Sequence, residues 1–139
     1  MPVTTKSESI AVRGSGEVVS VRHLVRRWAV DLGFTLVEQT KIVTAASELA
    51  RNMVDYGGGG VMTVELLEDG IRRGLRLIFE DQGPGIPDVA RALQDGFTSG
   101  SGMGLGLGGA RRLSNEFDIR TAPGEGTRVA ITRWKGAPT

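Results

Sequence analysis

Two long segments of helical period, followed by short apolar runs bounded by glycine, proline and Asp-Gly turns, predict an α/β (α+β) two-layer sandwich. The order along the chain reads β-α-α-β-β-(loop)-α-β-β, which places helices on one face of a mixed, largely antiparallel sheet. Length supports the same reading. The 139 residues suffice for one core without staples, and no repeat or linker divides them, so residues 1–139 are expected to form a single domain.

Each element has a local reason. Ser9 to Val12 is a short strand candidate, closed by the turn Gly14-Ser15-Gly16. From Val18 to Leu32, Val18, Val21, Val25, Trp28, Ala29 and Leu32 fall on one helical stripe, while Arg22, Arg26 and Arg27 fall off it. Gly33 ends this helix. Thr35, with Glu38 three residues on, forms a capping box that opens a second helix. It runs to about Tyr56, with Ile42, Ala46, Leu49 and Met53 as its buried ridge, and the glycines from Gly57 to Gly60 stop it. Val61 to Leu67 and Leu75 to Glu80 read as strands joined around Asp69-Gly70. Pro84 and Pro87 break the chain next; Asp88 to Gln94 has room for one or two helical turns, and Gly96 to Gly102 is a polar loop. A helix is expected from Leu105 to Asn115, then strands Phe117 to Thr121 and Thr127 to Trp134 around Pro123-Gly124-Glu125-Gly126.

Composition narrows the function. With 17 Lys+Arg against 16 Asp+Glu, nothing points to nucleic acid or a membrane surface as the main partner. There is no cysteine, so disulfides and thiolate metal sites are excluded, and the single histidine, His23, cannot build a zinc cluster alone. His23 is expected at the surface and Trp28 in the core. No apolar run approaches the roughly 20 residues of a membrane span and no signal-like segment opens the chain, so the expected location is the cytoplasm. Of 21 glycines, seven lie between Gly96 and Gly109, so they mark a place in the chain.

Four constellations carry chemistry. Glu48 and Asn52 lie one helical turn apart on the same face, at the edge of the buried stripe. The carboxamide oxygen of Asn52 is a hard ligand that suits Mg²⁺, and the Glu48 carboxylate could accept a hydroxyl proton; an ordinary solvated helix face has the same spacing. Asp81 follows the apolar run Leu75 to Phe79 and precedes Gly83 and Gly85. A carboxylate at that strand end can accept from an exocyclic amine such as that of adenine, and the two glycines let a flat ring approach the backbone, although Asp-x-Gly-x-Gly also describes a turn. The ladder Gly102-x-Gly104-x-Gly106-Leu107 leads into a helix and offers unpaired N–H groups to phosphates. A Rossmann fingerprint would need a strand directly before these glycines and an acid about 20 residues on, and a P-loop would need Gly-Lys-Ser/Thr; neither is present. Gly124-x-Gly126-Thr127 is a hairpin turn whose threonine hydroxyl stands at a strand start, within reach of a nucleotide. Together they suggest an ATP site with its magnesium ligand and its base.

In this order the motifs resemble those of the GHKL ATPases, which include gyrase, Hsp90, the histidine kinases and MutL. Glu48 to Asn52 resembles the N box, Asp81-x-Gly83-x-Gly85 the G1 box, Gly102-x-Gly104-x-Gly106 the G2 box, and Gly124-x-Gly126-Thr127 the last glycine-threonine box. Glu80 to Asp88 and Asp95-Gly96-Phe97-Thr98-Ser99 further resemble the RsbT (stressosome switch kinase) family, within the anti-sigma regulatory kinases. The resemblance implies the GHKL/Bergerat fold and a serine/threonine protein kinase that uses ATP and Mg²⁺ on STAS-domain substrates of anti-anti-sigma or stressosome type. Partner switching of this kind controls a sigma factor or stress response, with a phosphatase regulator as a further candidate partner. It implies Glu48 as catalytic base, Asn52 on magnesium, Asp81 on adenine, the backbone from Gly102 to Gly106 on the phosphates, and Asp88 to Ser101 as a lid. The alternative is an anti-sigma factor that sequesters a sigma factor and phosphorylates its antagonist. Those proteins usually carry a histidine four residues after the N-box asparagine, where this chain has Tyr56, which favours the switch kinase. Oligomeric state is left open by the sequence.

Overall fold

A computed structural model of the protein describes residues 1–94 and 106–137. The elements are β1 (Val3–Val12), α1 (Ser15–Leu32), α2 (Leu36–Gly57), β2 (Gly60–Asp69), β3 (Arg72–Asp81), α3 (Val89–Ala92), α4 (Gly106–Arg112), β4 (Glu116–Thr121) and β5 (Thr127–Trp134). The strands form one sheet in the order β1-β2-β3-β5-β4.

Every neighbouring pair in that sheet is antiparallel, so the parallel pairing that a mixed sheet allows is not used. Chain reversal explains this. β2–β3 and β4–β5 are hairpins, and after the helix pair α1–α2 the chain re-enters the sheet at Gly60 opposite Val12, where β1 ended, so β2 runs back along β1.

The helices cover one face. Val21, Val25, Ile42, Met62, Leu75, Leu77 and Ile131 are among the least exposed side chains, drawn from α1, α2 and the strands. Ala45, Ala46 and Ala50 are fully buried on α2, and such small side chains let the helix lie close to its neighbours. Burying each large aliphatic side chain contributes about 1.5–3 kcal/mol, which makes this layer contact the main source of stability. As expected, Trp28 belongs to the core and His23 is exposed.

β1 is longer than the sequence suggests. Its first residues are polar and exposed, with no apolar alternation to reveal them, and they are strand only because they pair with β2 from Val3↔Glu68 onward. At the other extreme, α4 stops at Arg112 instead of Asn115. The Ser114 hydroxyl bonds back to the Ala110 carbonyl, and Asn115 joins the sheet, its N–H donating to the Thr132 carbonyl at 2.8 Å and its Oδ1 accepting from Trp134 N–H at 2.7 Å.

The expected capping box at the start of α2 is present: Glu38 N–H donates to Thr35 Oγ1 at 3.1 Å and Thr35 N–H donates to Glu38 Oε1 at 2.8 Å. Glu38 Oε2 also accepts from Gly136 N–H at 2.6 Å, so one buried carboxylate ties the segment after β5 to α2. Burial opposes ionisation of Glu38, but the N–H groups of Thr35 and Gly136, the Thr35 side chain and the nearby Arg133 charge outweigh it and hold its pKa below the ordinary carboxylate value.

Candidate functional site

A cavity of about 430 Å³ opens between the C-terminal half of α2, the ends of β3 and β5, the segment 84–88, α3 and the start of α4. This lies in the size range of small-ligand sites. Its apolar lining comes from Leu49 and Met53 of α2, Phe79 of β3, Leu107 of α4 and Val129 of β5. A flat apolar ring is the natural guest for such surfaces.

Strand alternation delivers a carboxylate to this lining. Leu75, Leu77 and Phe79 face the core, so Asp81 comes next on the same side and lines the cavity, whereas Glu80 points outward and pairs with Arg128 at 3.8 Å. Thr127, directly opposite Asp81 in the β3–β5 register, also lines the cavity. Asp81 Oδ1 accepts from Gly83 N–H at 2.9 Å, an Asx-type turn that fixes its rotamer.

The glycines around Asp81 are required by close packing. A Cβ on Gly57 would overlap the Asp81 carboxyl, and one on Gly83 would fall 2.6 Å from Gly57 Cα. Gly83 therefore meets the end of α2 and is not among the cavity-lining residues. Gly85 does line the cavity, and with φ +80° it also lies against the Ala122 carbonyl. Gly126, at φ +78°, lies against the Asp81 carbonyl. Hydrogen bonds complete the join: Gly124 N–H donates to the Pro84 carbonyl at 2.8 Å, and Ile86 N–H donates to Thr121 Oγ1 at 2.9 Å. Thr121 Oγ1 in turn lies 2.9 Å from Thr127 Oγ1. The Asp-x-Gly-x-Gly loop and the Gly-x-Gly-Thr turn are thus a single fitted unit behind the carboxylate.

On α2 the two expected residues part company. Asn52 is half-buried and lines the cavity, and among the described residues its carboxamide has no hydrogen-bond partner. Glu48 does not line the cavity. It is 6% exposed and its Oε1 takes Arg51 Nη1 at 3.5 Å, the far limit of a hydrogen bond. Asn52, Asp81, Gly85, Gly106, Leu107 and Thr127 are brought together around the cavity, while Gly102 and Gly104 lie outside the described residues. Of the expected lid from Asp88 to Ser101, only 88–94 is described, and α3 within it is capped by Asp88, whose Oδ1 accepts from Arg91 N–H at 3.0 Å.

Sequence reading missed several lining residues. Phe79 and Val129 were legible, since they precede Asp81 and follow Thr127 by two in strands of period two. Asp88 and Arg91 fall within the expected lid and Tyr56 just after the N box, but only the folded chain brings their side chains to the cavity.

Comparison with known proteins agrees with this geometry. Residues 37–136 match the family of histidine kinase-, DNA gyrase B-, and HSP90-like ATPases. The chain is 45% identical over 118 residues to the serine/threonine-protein kinase RsbT of Bacillus subtilis, covering 85% of this chain and 89% of that protein. It is 30% identical over 122 residues to an anti-sigma F factor of Thermoanaerobacter, covering 84% of each chain. Among solved structures, it resembles the RsbU and RsbW domains of Rv1364c from Mycobacterium tuberculosis at 25% identity and a TM-score of 0.66, over 97% of this chain and 34% of that longer one.

Proposed function

On the premise that this chain belongs to the histidine kinase-, DNA gyrase B- and HSP90-like ATPases, and within them to the family of the serine/threonine-protein kinase RsbT, we propose that it phosphorylates STAS-domain proteins in a partner-switching pathway controlling a sigma factor or stress response. The serine/threonine kinase activity and the use of ATP follow from the family. The STAS substrate, the magnesium ion and the residue roles are our reading.

The observation that carries the reading is Asp81, a carboxylate presented to an apolar cavity with its rotamer already fixed. Such an acceptor suits the exocyclic amine of adenine, with the ring between the aliphatic side chains of α2 and β5 and with Thr127 beside it. Asn52 fits a magnesium ligand on its chemistry: a hard carboxamide oxygen, on the cavity wall and without a hydrogen-bond partner among the described residues. When bound there, Mg²⁺ would neutralise phosphate charge during transfer. The backbone of Gly102, Gly104 and Gly106 is assigned to the phosphates.

Glu48 is assigned to the substrate hydroxyl, as base or as orienting acceptor. Its contact with Arg51 is long enough to be given up when a hydroxyl docks. Phosphoryl transfer is mostly positioning and charge neutralisation, so few side chains need to be reactive.

The second reading is an anti-sigma factor with the same site, favoured by the 30% identity to an anti-sigma F factor. The two readings separate in one experiment. Protein, ATP, Mg²⁺ and a STAS-domain protein are incubated and examined for phosphoserine and phosphothreonine, alongside capture of a purified sigma factor. Phosphorylation without sigma capture is expected; sigma capture supports the second reading, and no phosphorylation of any STAS protein refutes the substrate assignment.

A further inference from the structure

We propose that Arg91 is the side chain that grips the nucleotide phosphates, an inference that rests on the ATP reading above. Charge at the cavity is unbalanced. Among the described residues that line it, Asp81 and Asp88 are anionic and Arg91 is the single cation. A nucleotide with several phosphates adds more negative charge to this wall, and the chain has no Gly-Lys-Ser/Thr loop to supply a lysine. Arg51, Arg111 and Arg112 are not among the residues that line it.

Arg91 is also well placed by its backbone. Its N–H donates to the Asp88 side chain at 3.0 Å, which caps the start of α3. Two residues on, the Leu93 carbonyl is packed against Gly108 of α4, with no room for a Cβ there. The Cα of Arg91 is therefore fixed between two anchors, and a site residue on an anchored element keeps its aim. A guanidinium presents a planar fork that matches phosphate oxygens two at a time, which an ammonium cannot do. Because Arg91 is exposed, solvent screens part of its attraction, and the effect should be moderate.

The test is titration of ATP, ADP and adenosine, each with Mg²⁺, into wild type, Arg91→Ala, Arg91→Gln and Arg91→Lys. Loss of the guanidinium should weaken ATP about tenfold, as expected for a charge-assisted contact, and ADP by less. Adenosine affinity should stay within about twofold, since no phosphate is present to lose a partner. Arg91→Lys should recover part of the ATP affinity, and ATP binding to Arg91→Ala should depend less steeply on salt. Equal losses for adenosine and ATP would make Arg91 a packing residue and overturn the proposal. Unchanged ATP affinity in Arg91→Ala and Arg91→Gln overturns it too, while leaving the ATP reading intact. Wild type that binds none of the three ligands removes the ATP reading, and this proposal with it.

Discussion

The two ends of the sheet treat polar side chains in opposite ways. At the Glu38 end nearly every one is consumed by the fold: Glu38 serves Thr35 and Gly136, Asn115 serves Trp134, and the Trp134 indole N–H donates to Glu116 at 2.6 Å. The Arg72 guanidinium closes that end over the Trp134 ring at 4.1 Å. At the cavity end the backbone is equally well fitted, but side-chain capacity is left over. Among the described residues, Asn52 has no partner, and Asp81 accepts only the Gly83 N–H, through Oδ1. Polar groups inside a protein are normally satisfied by it, so the capacity that the described residues leave facing the cavity is what the proposed nucleotide would take up. One exception sharpens the contrast. Buried Arg133 donates through Nη1 to the Leu113 carbonyl at 3.1 Å, yet its Nε and Nη2 have no partner among the described residues. Arg133 is not among the residues that line the cavity, and its charge instead supports Glu38.

The largest effect should come from Glu48→Gln. Phosphorylation of the protein substrate should fall by roughly 10²–10⁴, the usual contribution of a positioned proton acceptor, with ATP affinity within a few fold of wild type. A smaller loss, measured by single-turnover phosphate transfer, would mean that Glu48 orients the hydroxyl more than it deprotonates it. Transfer equal to wild type would remove Glu48 from the mechanism.

Gly126→Ala tests whether the cavity end depends on its fitted backbone. A side chain at φ +78° and against the Asp81 carbonyl should cost about 1–3 kcal/mol of stability and displace Asp81, weakening ATP as well. Thermal melting and titration should therefore move together, and movement in only one of them would separate the turn from the site.

Glu38→Gln tests the other end. Loss of charge-assisted hydrogen bonds beside Arg133 should cost about 1–3 kcal/mol, with ATP affinity unchanged. The pH dependence has a definite sign. Glu38 has a lowered pKa in the fold, so its contribution is complete above the ordinary carboxylate range and is lost as pH falls through the folded value. The stability gap between wild type and Glu38→Gln should be full at neutral pH and close in acid; a gap independent of pH would show that charge is not its source.

The smallest effect is assigned to Asn52→Ala, which should remove the enhancement of ATP binding by Mg²⁺ while leaving metal-free binding nearly intact. Equal enhancement in both proteins, measured by titration with and without Mg²⁺, would exclude Asn52 as the ligand.

The contrast between the ends also explains what the sequence could reveal. The capping box at Thr35 and Glu38 was legible because it is a local pattern with a local cause. Asp81 was legible because an apolar run ends on it. The second tie of Glu38, to Gly136, was not, since nothing in either segment predicts that they meet. The glycines were legible as a motif but only partly in role: Gly83 and Gly126 serve contacts between distant backbones, which no single segment encodes. Glu48 shows the limit of face arguments. It shares a helix face with Asn52, but on its turn of α2 the cavity is lined by Leu49 and not by Glu48.

The most direct test of a ligand end opposed to a structural end is a paired titration and melt of Asp81→Asn and Glu38→Gln. Losing one charge-assisted hydrogen bond in a partly dry cavity costs roughly 1.5–3 kcal/mol, so Asp81→Asn should lose more than about tenfold in ATP affinity while keeping its melting temperature. Glu38→Gln should do the reverse, with a lowered melting temperature and wild-type affinity. ATP bound by Asp81→Asn as tightly as by wild type would contradict the account.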